Sequence, residues 1–126
     1  MANPIVKGIK KYIPAFKEAK DRDLNEADVV TRIVKFLEDA LGYDVLKHIT
    51  KEFQVKERYV DLAIKLNDKV KFYIEAKSAN ANLKESHIFQ AESYASQSGI
   101  PWVVLTNGSE WQLYHLREIT GSDLEM

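Results

Sequence analysis

The chain has 126 residues, of which 45% are apolar and 29% charged, a composition typical of one soluble globular domain with an ordinary core. Its net charge of −1 counts mildly against a nucleic-acid partner, although a near-neutral total can still contain a basic face. No cysteine is present, which excludes disulfides and thiolate metal sites, and we expect a cytoplasmic protein without a membrane span or secretion signal.

The first 20 residues have the spacing of an amphipathic helix. Apolar side chains from Ile5 to Phe16 recur at helical intervals, five lysines lie between and after them, and Pro14 predicts a bend or a break. We interpret residues 1–22 as a helical extension and residues 23–126 as the single main domain. The lysines indicate either the solvated face of a docking helix, which we prefer, or an arm that contacts phosphates.

A second helix is predicted after Asp23 or Asn25, either of which can cap it, and it ends near Leu41 with Gly42 as its stop. The order helix, strands, helix, strands predicts an α/β fold of the mixed α+β kind. The later elements are a strand near 49–55, strands at 58–66 and 70–77, a third helix between Asn82 and Gly99, and strands at 101–106 and 109–115 around the hairpin signal Asn107-Gly108.

The strands at 58–66 and 70–77 alternate apolar and polar residues, the pattern of half-buried strands. A two-residue loop between them would pair apolar positions with polar ones, so the loop is predicted to span residues 67–69. The expected pairs are Leu66 with Val70, Ile64 with Phe72 and Leu62 with Ile74.

The same register sets Asp61 directly opposite Glu75 on the polar face, with Cβ atoms about 4.5–5.5 Å apart. Two carboxylates so placed repel each other unless a cation lies between them, and a divalent metal ion such as Mg²⁺ is the obvious candidate. Lys77 projects to the same face and can stabilise an attacking water or the transition state. Two acids and a lysine are a workable set for phosphodiester hydrolysis.

Glu26 adds a third acid on the inner stripe of the second helix, where a carboxylate needs a partner or a purpose. It either contributes to the metal site or, with Asp23 as the N-cap, closes a capping box, and the residues alone leave both open. Gln90 and Tyr94 share one face of the third helix, which by itself is typical of ordinary surface. The three histidines do not have metal-ligand spacing, and no glycine-rich phosphate loop is present.

Glu26 on a first helix, Asp61 on a strand, Glu75-Ala-Lys77 on the next strand and Gln90-x-x-x-Tyr94 on the following helix resemble the PD-(D/E)xK nuclease superfamily. The stretch from Asn25 through Leu116, with its Leu41-Gly-Tyr-Asp segment and the segment from Leu105 to Tyr114, is similar to the N-terminal nuclease domain of type I restriction enzyme motor subunits.

The resemblance implies a restriction-endonuclease-like core with a central mixed sheet flanked by helices. It implies that Asp61 and Glu75 bind Mg²⁺, for which Mn²⁺ substitutes, that Lys77 assists the water, and that Glu26 supports the metal. Gln90 and Tyr94 are then expected to help bind DNA or orient the lysine. The sequence departs from the common pattern at Val60, where proline is usual, and no helicase motor follows before Met126.

We therefore expect a divalent-metal-dependent DNA endonuclease domain. The alternative is a non-catalytic module that keeps the nuclease fold and binds nucleic acid or a protein without cutting. The expected partners are DNA and other subunits of a restriction-type complex, with a homodimer left open.

Overall fold

The computed structural model of this chain describes residues 3–55 and 57–115. It contains a five-stranded mixed sheet whose strands follow one another in chain order, and among the described residues only the third and fourth strands pair in parallel. This confirms the predicted order of helix, strands, helix and strands. The elements are α1 (Pro4–Asp21), α2 (Glu26–Leu41), β1 (Ile49–Val55), β2 (Arg58–Leu66), β3 (Lys69–Ala76), α3 (Glu85–Ser98), β4 (Trp102–Thr106) and β5 (Trp111–His115).

Helix α1 is continuous through Pro14, so the break that this proline allowed is not found. Tyr12 and Phe16, on either side of Pro14, both pack against Phe36 of α2. Their ring centroids lie 5.6 and 5.8 Å from that of Phe36. The two helices also approach closely at Gly8, where a Cβ would come within 2.5 Å of Cβ of Ala40. Glycine is therefore required at this crossing.

Helix α2 begins after Asn25, whose side chain accepts a 2.9 Å hydrogen bond from the N–H of Asp28. It ends at Gly42, which adopts the left-handed conformation with φ of 79°. Ile33, Leu37 and neighbouring apolar residues of α2 pack with Leu62, Ile64 and other residues from one face of the sheet and with the buried side of α1. This cluster is the main core.

The hairpin of β2 and β3 contains two of the predicted pairs, Ile64 with Phe72 and Leu62 with Ile74. The prediction was wrong near the turn, where Leu66 pairs with Lys69 rather than Val70. Asn67 and Asp68 both have positive φ, which forms a tight two-residue turn matched to the strand twist. A bulge beside Ile64 restores the apolar register beyond it.

Helix α3 covers part of the second face of the sheet, so this part is more buried than the alternation suggested. Ala63, Tyr73 and Glu75 are buried on this face, and the hydroxyl of Tyr73 donates a 2.9 Å hydrogen bond to Oγ of Ser98. The alternation shows which side chains are polar. It does not show whether a helix from a later part of the chain packs on them. The hydroxyl of Tyr73 therefore lies between the sheet and α3.

Strands β4 and β5 form the predicted hairpin with a longer connection than Asn107-Gly108 suggested. Thr106 pairs with Trp111, so the loop has four residues. The side-chain oxygen of Asn107 accepts the N–H groups of Ser109 and Glu110 at 3.1 and 2.8 Å, which organises this loop. In the described part of the chain, no helix combines the length and apolar character needed to cross a membrane.

Candidate metal centre

Three carboxylates meet beside the end of the β2–β3 hairpin that lies away from its turn. Glu26, Asp61 and Glu75 each contribute an oxygen that lies within 4.8 Å of the other two. The sequence predicted this group from three separate segments, and the structure brings all three together.

The register of the hairpin places Asp61 opposite Glu75, because the neighbouring pair is Leu62 with Ile74. Its Oδ2 accepts a 2.7 Å hydrogen bond from the N–H of Ala76. A charge-assisted bond of this length fixes the carboxylate against the neighbouring strand.

Glu75 is the most buried of the three acids, with 5% of its surface exposed. Burial, together with the hydrogen bond to Asp61 and its charge, raises the pKa of Glu75 to about 9. Its Oε2 has no hydrogen-bond partner among the described residues. A buried carboxylate oxygen without a partner is costly, so this atom is suited to bind a cation.

Glu26 is the first residue of α2, because Asn25 is the N-cap. The capping box with Asp23 as N-cap and Glu26 at the third helical position is therefore wrong, since Asp23 lies outside the helix at φ of 53°. The N-terminus of α2 is held near the end of β3 by a 3.0 Å bond from the N–H of Ala79 to the carbonyl of Leu24. Burial, followed by the charge of Asp61, raises the pKa of Glu26.

Lys77 lies directly after β3, where its N–H donates a 2.9 Å hydrogen bond to the carbonyl of Thr106 and continues the parallel pairing with β4. The charge of Lys77 lowers the pKa of both Glu26 and Glu75 and so opposes the larger upward shifts. Its half-buried side chain therefore lies within electrostatic reach of the acids.

The donor set suits a hard divalent cation. Three carboxylates converge, Oε2 of Glu75 lacks a hydrogen-bond partner among the described residues, and the charge of Lys77 opposes the raised pKa values of Glu26 and Glu75. Mg²⁺ and Mn²⁺ prefer carboxylate and water oxygens, whereas the described part of the chain offers no histidine or sulfur ligand in this group.

Gln90 and Tyr94 both fall within α3, but their side chains lie outside the described part of the structure. His87, on the same helix, was not selected from the sequence. Burial and then the charges of Lys77 and Lys84 lower the pKa of His87, and its Nδ1 accepts a 3.2 Å bond from the N–H of Lys84. The sequence did contain one indication that His87 belongs with Gln90: it lies three residues earlier, and so on the same face of the helix.

A mixed sheet flanked by helices, with three acids and a lysine gathered beside two neighbouring strands, fits a nuclease-like domain of the restriction-endonuclease class. A family described as the type I restriction enzyme R protein N terminus matches residues 25–125. The chain belongs to this family. No curated protein matches it.

Proposed function

We propose that this chain is a Mg²⁺-dependent DNA endonuclease domain that hydrolyses phosphodiester bonds. The observation that carries the proposal is the convergence of Glu26, Asp61 and Glu75, one of which has a buried oxygen without a partner. These three residues would hold the metal ion, and Mn²⁺ would substitute for Mg²⁺. Family membership supports DNA as the substrate and a restriction-type complex as the setting.

Bound Mg²⁺ would supply Lewis-acid polarisation of a phosphate oxygen and a more acidic water. The residues of the chain have separate tasks. Asp61 keeps one orientation because the Ala76 N–H holds it. Lys77 brings a positive charge to the same end of β3, where it donates a hydrogen bond to the attacking water or to a phosphate oxygen and stabilises the extra negative charge of the transition state.

Water attacks phosphorus, a new P–O bond forms, and the bond to the leaving sugar oxygen breaks. In the net reaction, the water loses one proton and the leaving oxygen gains one to become a hydroxyl group. Gln90 and Tyr94 on α3 are proposed to contact the DNA backbone or to orient Lys77. His87 is neutral near pH 7 because its pKa is lowered, so it can donate a hydrogen bond through Nε2 without adding charge beside Lys77.

The second candidate is a non-catalytic module that keeps the fold and binds nucleic acid or a protein. The net charge of −1 favours it, because phosphate binding relies on positive charge. The two candidates differ in one measurable respect, which is bond cleavage.

The test is cleavage of supercoiled, linear, flap and single-stranded DNA in Mg²⁺, Mn²⁺ or EDTA. We expect metal-dependent cleavage by the unmodified chain and by the control Glu57→Gln, an exposed acid outside the cluster, and none by Glu75→Gln. Cleavage retained by Glu75→Gln contradicts the site. DNA binding without cleavage under all conditions selects the non-catalytic module.

A further inference from the structure

We propose that a groove between α1, α2 and the β4–β5 loop is a docking site for an acidic protein segment that carries apolar side chains. The groove lies outside the metal centre and has a volume of about 380 Å³, within the usual range for binding pockets of about 300–1,000 Å³. It is lined by Ile9, Ile13, Phe16, Lys17, Lys20, Phe36, Gly108, Ser109 and Trp111.

The floor of the groove is aromatic and rigid. The ring of Trp111 lies 6.1 Å from Phe16 and 5.6 Å from Phe36, and its Nε1 donates a 2.9 Å hydrogen bond to the carbonyl of Gly108. A Cβ at Gly108 would come within 2.7 Å of the Phe16 ring, so the loop closes tightly over the cluster. A partner therefore meets a preformed surface, which lowers the entropic cost of binding.

The apolar wall of the groove continues onto the outer side of α1. Ile5, Ile9 and Ile13 are 48%, 42% and 58% exposed. Their spacing of four residues lines them up over about 12 Å of helix, at 1.5 Å per residue. Exposed apolar surface in a continuous patch is typical of an interaction site rather than of scattered surface residues.

The charged residues at the edge of the groove indicate which kind of partner it favours. Both charged residues that line the groove are lysines, and neither Lys17 nor Lys20 forms an ion pair in the described part of the chain. A second copy of α1 would bring lysines against lysines, which disfavours self-association. Phosphates would leave the isoleucines exposed, and a flat bilayer would not fill a concave floor. An acidic segment with apolar side chains complements both the lysines and the exposed isoleucines.

The family match begins at residue 25, so the wall and the rim supplied by α1 lie outside the region that defines the family. The proposal does not depend on metal binding or cleavage. It can fail while the nuclease proposal holds, and the reverse is also true.

The probes are two synthetic helical peptides with identical leucine spacing, one with glutamate and one with lysine at the other positions. The chain has two tryptophans, so Trp102→Phe leaves Trp111 as the reporter of the groove. We expect a saturable change in Trp111 fluorescence with the acidic peptide, weakened by salt, and none with the basic peptide.

The decisive variant is Lys17→Glu with Lys20→Glu. It should weaken the affinity for the acidic peptide at least about tenfold and allow the basic peptide to bind. Its control is Lys69→Glu with Lys71→Glu, which makes the same change in net charge at exposed positions of β3 that do not line the groove and should alter affinity less than about twofold. Ile13→Ser should also weaken binding, whereas Leu46→Ser, at an exposed leucine elsewhere, should not.

Circular dichroism of each variant establishes that it is folded. Binding of both peptides alike, or of neither, overturns the proposal. So does binding only to phosphatidylglycerol vesicles, which indicates a membrane surface. Binding only to duplex DNA in EDTA, lost in the Lys17 and Lys20 variant, indicates a phosphate-contacting arm and equally overturns it.

Discussion

The N–H of Ala76 donates a 2.7 Å hydrogen bond to Oδ2 of Asp61, so the main chain of β3 fixes an acid that belongs to β2. The pairing of the two strands and the orientation of the carboxylate are thus set by the same contact. Any change that shifts β2 against β3 by one residue would remove Asp61 from Glu75 and turn its side chain to the other face.

We predict that Mg²⁺ or Mn²⁺ raises the melting temperature of the unmodified chain, because ligands that bind only the folded state stabilise it. At 100 times the dissociation constant the gain is about 2.7 kcal/mol. Asp61→Asn should remove most of the shift, since it keeps an oxygen that can accept the Ala76 N–H but loses the charge. Without metal, this variant should be about as stable as the unmodified chain below about pH 9, where the proton on Glu75 already removes the repulsion, and more stable at higher pH, where Glu75 ionises.

The control for this experiment is Asp68→Asn, which makes the same chemical change in the exposed hairpin turn, where asparagine tolerates the positive φ. Equal metal-induced shifts in the unmodified chain and in Asp61→Asn would refute the assignment of Asp61 as a ligand.

A second prediction concerns Glu26. Since Asn25 caps α2, Glu26→Gln should reduce metal-dependent cleavage at least about tenfold while leaving the melting temperature nearly unchanged. Asn25→Ala is the complementary variant and should cost about 1 kcal/mol of stability through loss of the cap. Thermal melts and initial cleavage rates on both proteins separate the roles, and full activity in Glu26→Gln would show that the acid is structural.

The third prediction is a pH dependence of stability without metal. The pKa of Glu75 is raised to about 9 in the folded state, so between its ordinary value and that value the folded state binds more protons than the unfolded state. The contribution of Glu75 to the free energy of unfolding is therefore complete below its unfolded pKa and is lost as pH rises towards 9. Glu75→Gln should flatten this decline.

Thermal melts from about pH 5 to 9 in EDTA measure the effect. In Mg²⁺ the decline should be smaller, because metal binding displaces the proton and strengthens as pH rises. An identical pH slope in the unmodified chain and in Glu75→Gln would mean that another group is responsible.

Lys77 gives the fourth prediction. Lys77→Ala should abolish Mg²⁺-dependent cleavage but weaken DNA binding by no more than about tenfold, or 1.4 kcal/mol, because one phosphate contact is a small part of a binding surface. Lys51→Ala, at an exposed position of β1, is the matched control and should retain cleavage. A loss of DNA affinity far beyond tenfold would indicate that Lys77 acts mainly in DNA binding rather than in catalysis.

The fifth prediction tests the close crossing of α1 and α2. Gly8→Ala should destabilise the chain by about 1–3 kcal/mol, because the added Cβ would lie 2.6 Å from Cα of Ala40, a backbone atom that cannot rotate away. Lys10→Ala, an exposed position of α1, should leave stability nearly unchanged or slightly higher. Denaturant unfolding of the two variants measures the difference, and an equally stable Gly8→Ala would show that the helices can separate without cost.

Much of the fold could be predicted because it is encoded locally. The alternation in β2 and β3 fixed the pairs Leu62 with Ile74 and Ile64 with Phe72, and Gly42 marked the end of α2. The turn at Asn67 was predicted incorrectly, because the sequence pattern does not reveal a bulge that lets a two-residue loop coexist with an apolar register.

The site was less accessible to sequence reasoning where it depends on tertiary contacts. The burial of Glu75 and its unpartnered Oε2 are tertiary properties that the residue pattern of β3 does not reveal. The capping box proposed for Glu26 was wrong because Asn25 rather than Asp23 caps α2, and the sequence offered both residues as caps.

The bulge beside Ile64 isolates the tip of the β2–β3 hairpin from the acids at its other end. The regular pairs Ile64 with Phe72 and Leu62 with Ile74 lie between the irregularity and Asp61, so a change in length at Asn67-Asp68 is absorbed before it reaches the carboxylates. The exposed tip is therefore a natural attachment point, where an inserted epitope or a fluorescent label can be carried at one end of the hairpin while the other keeps its geometry.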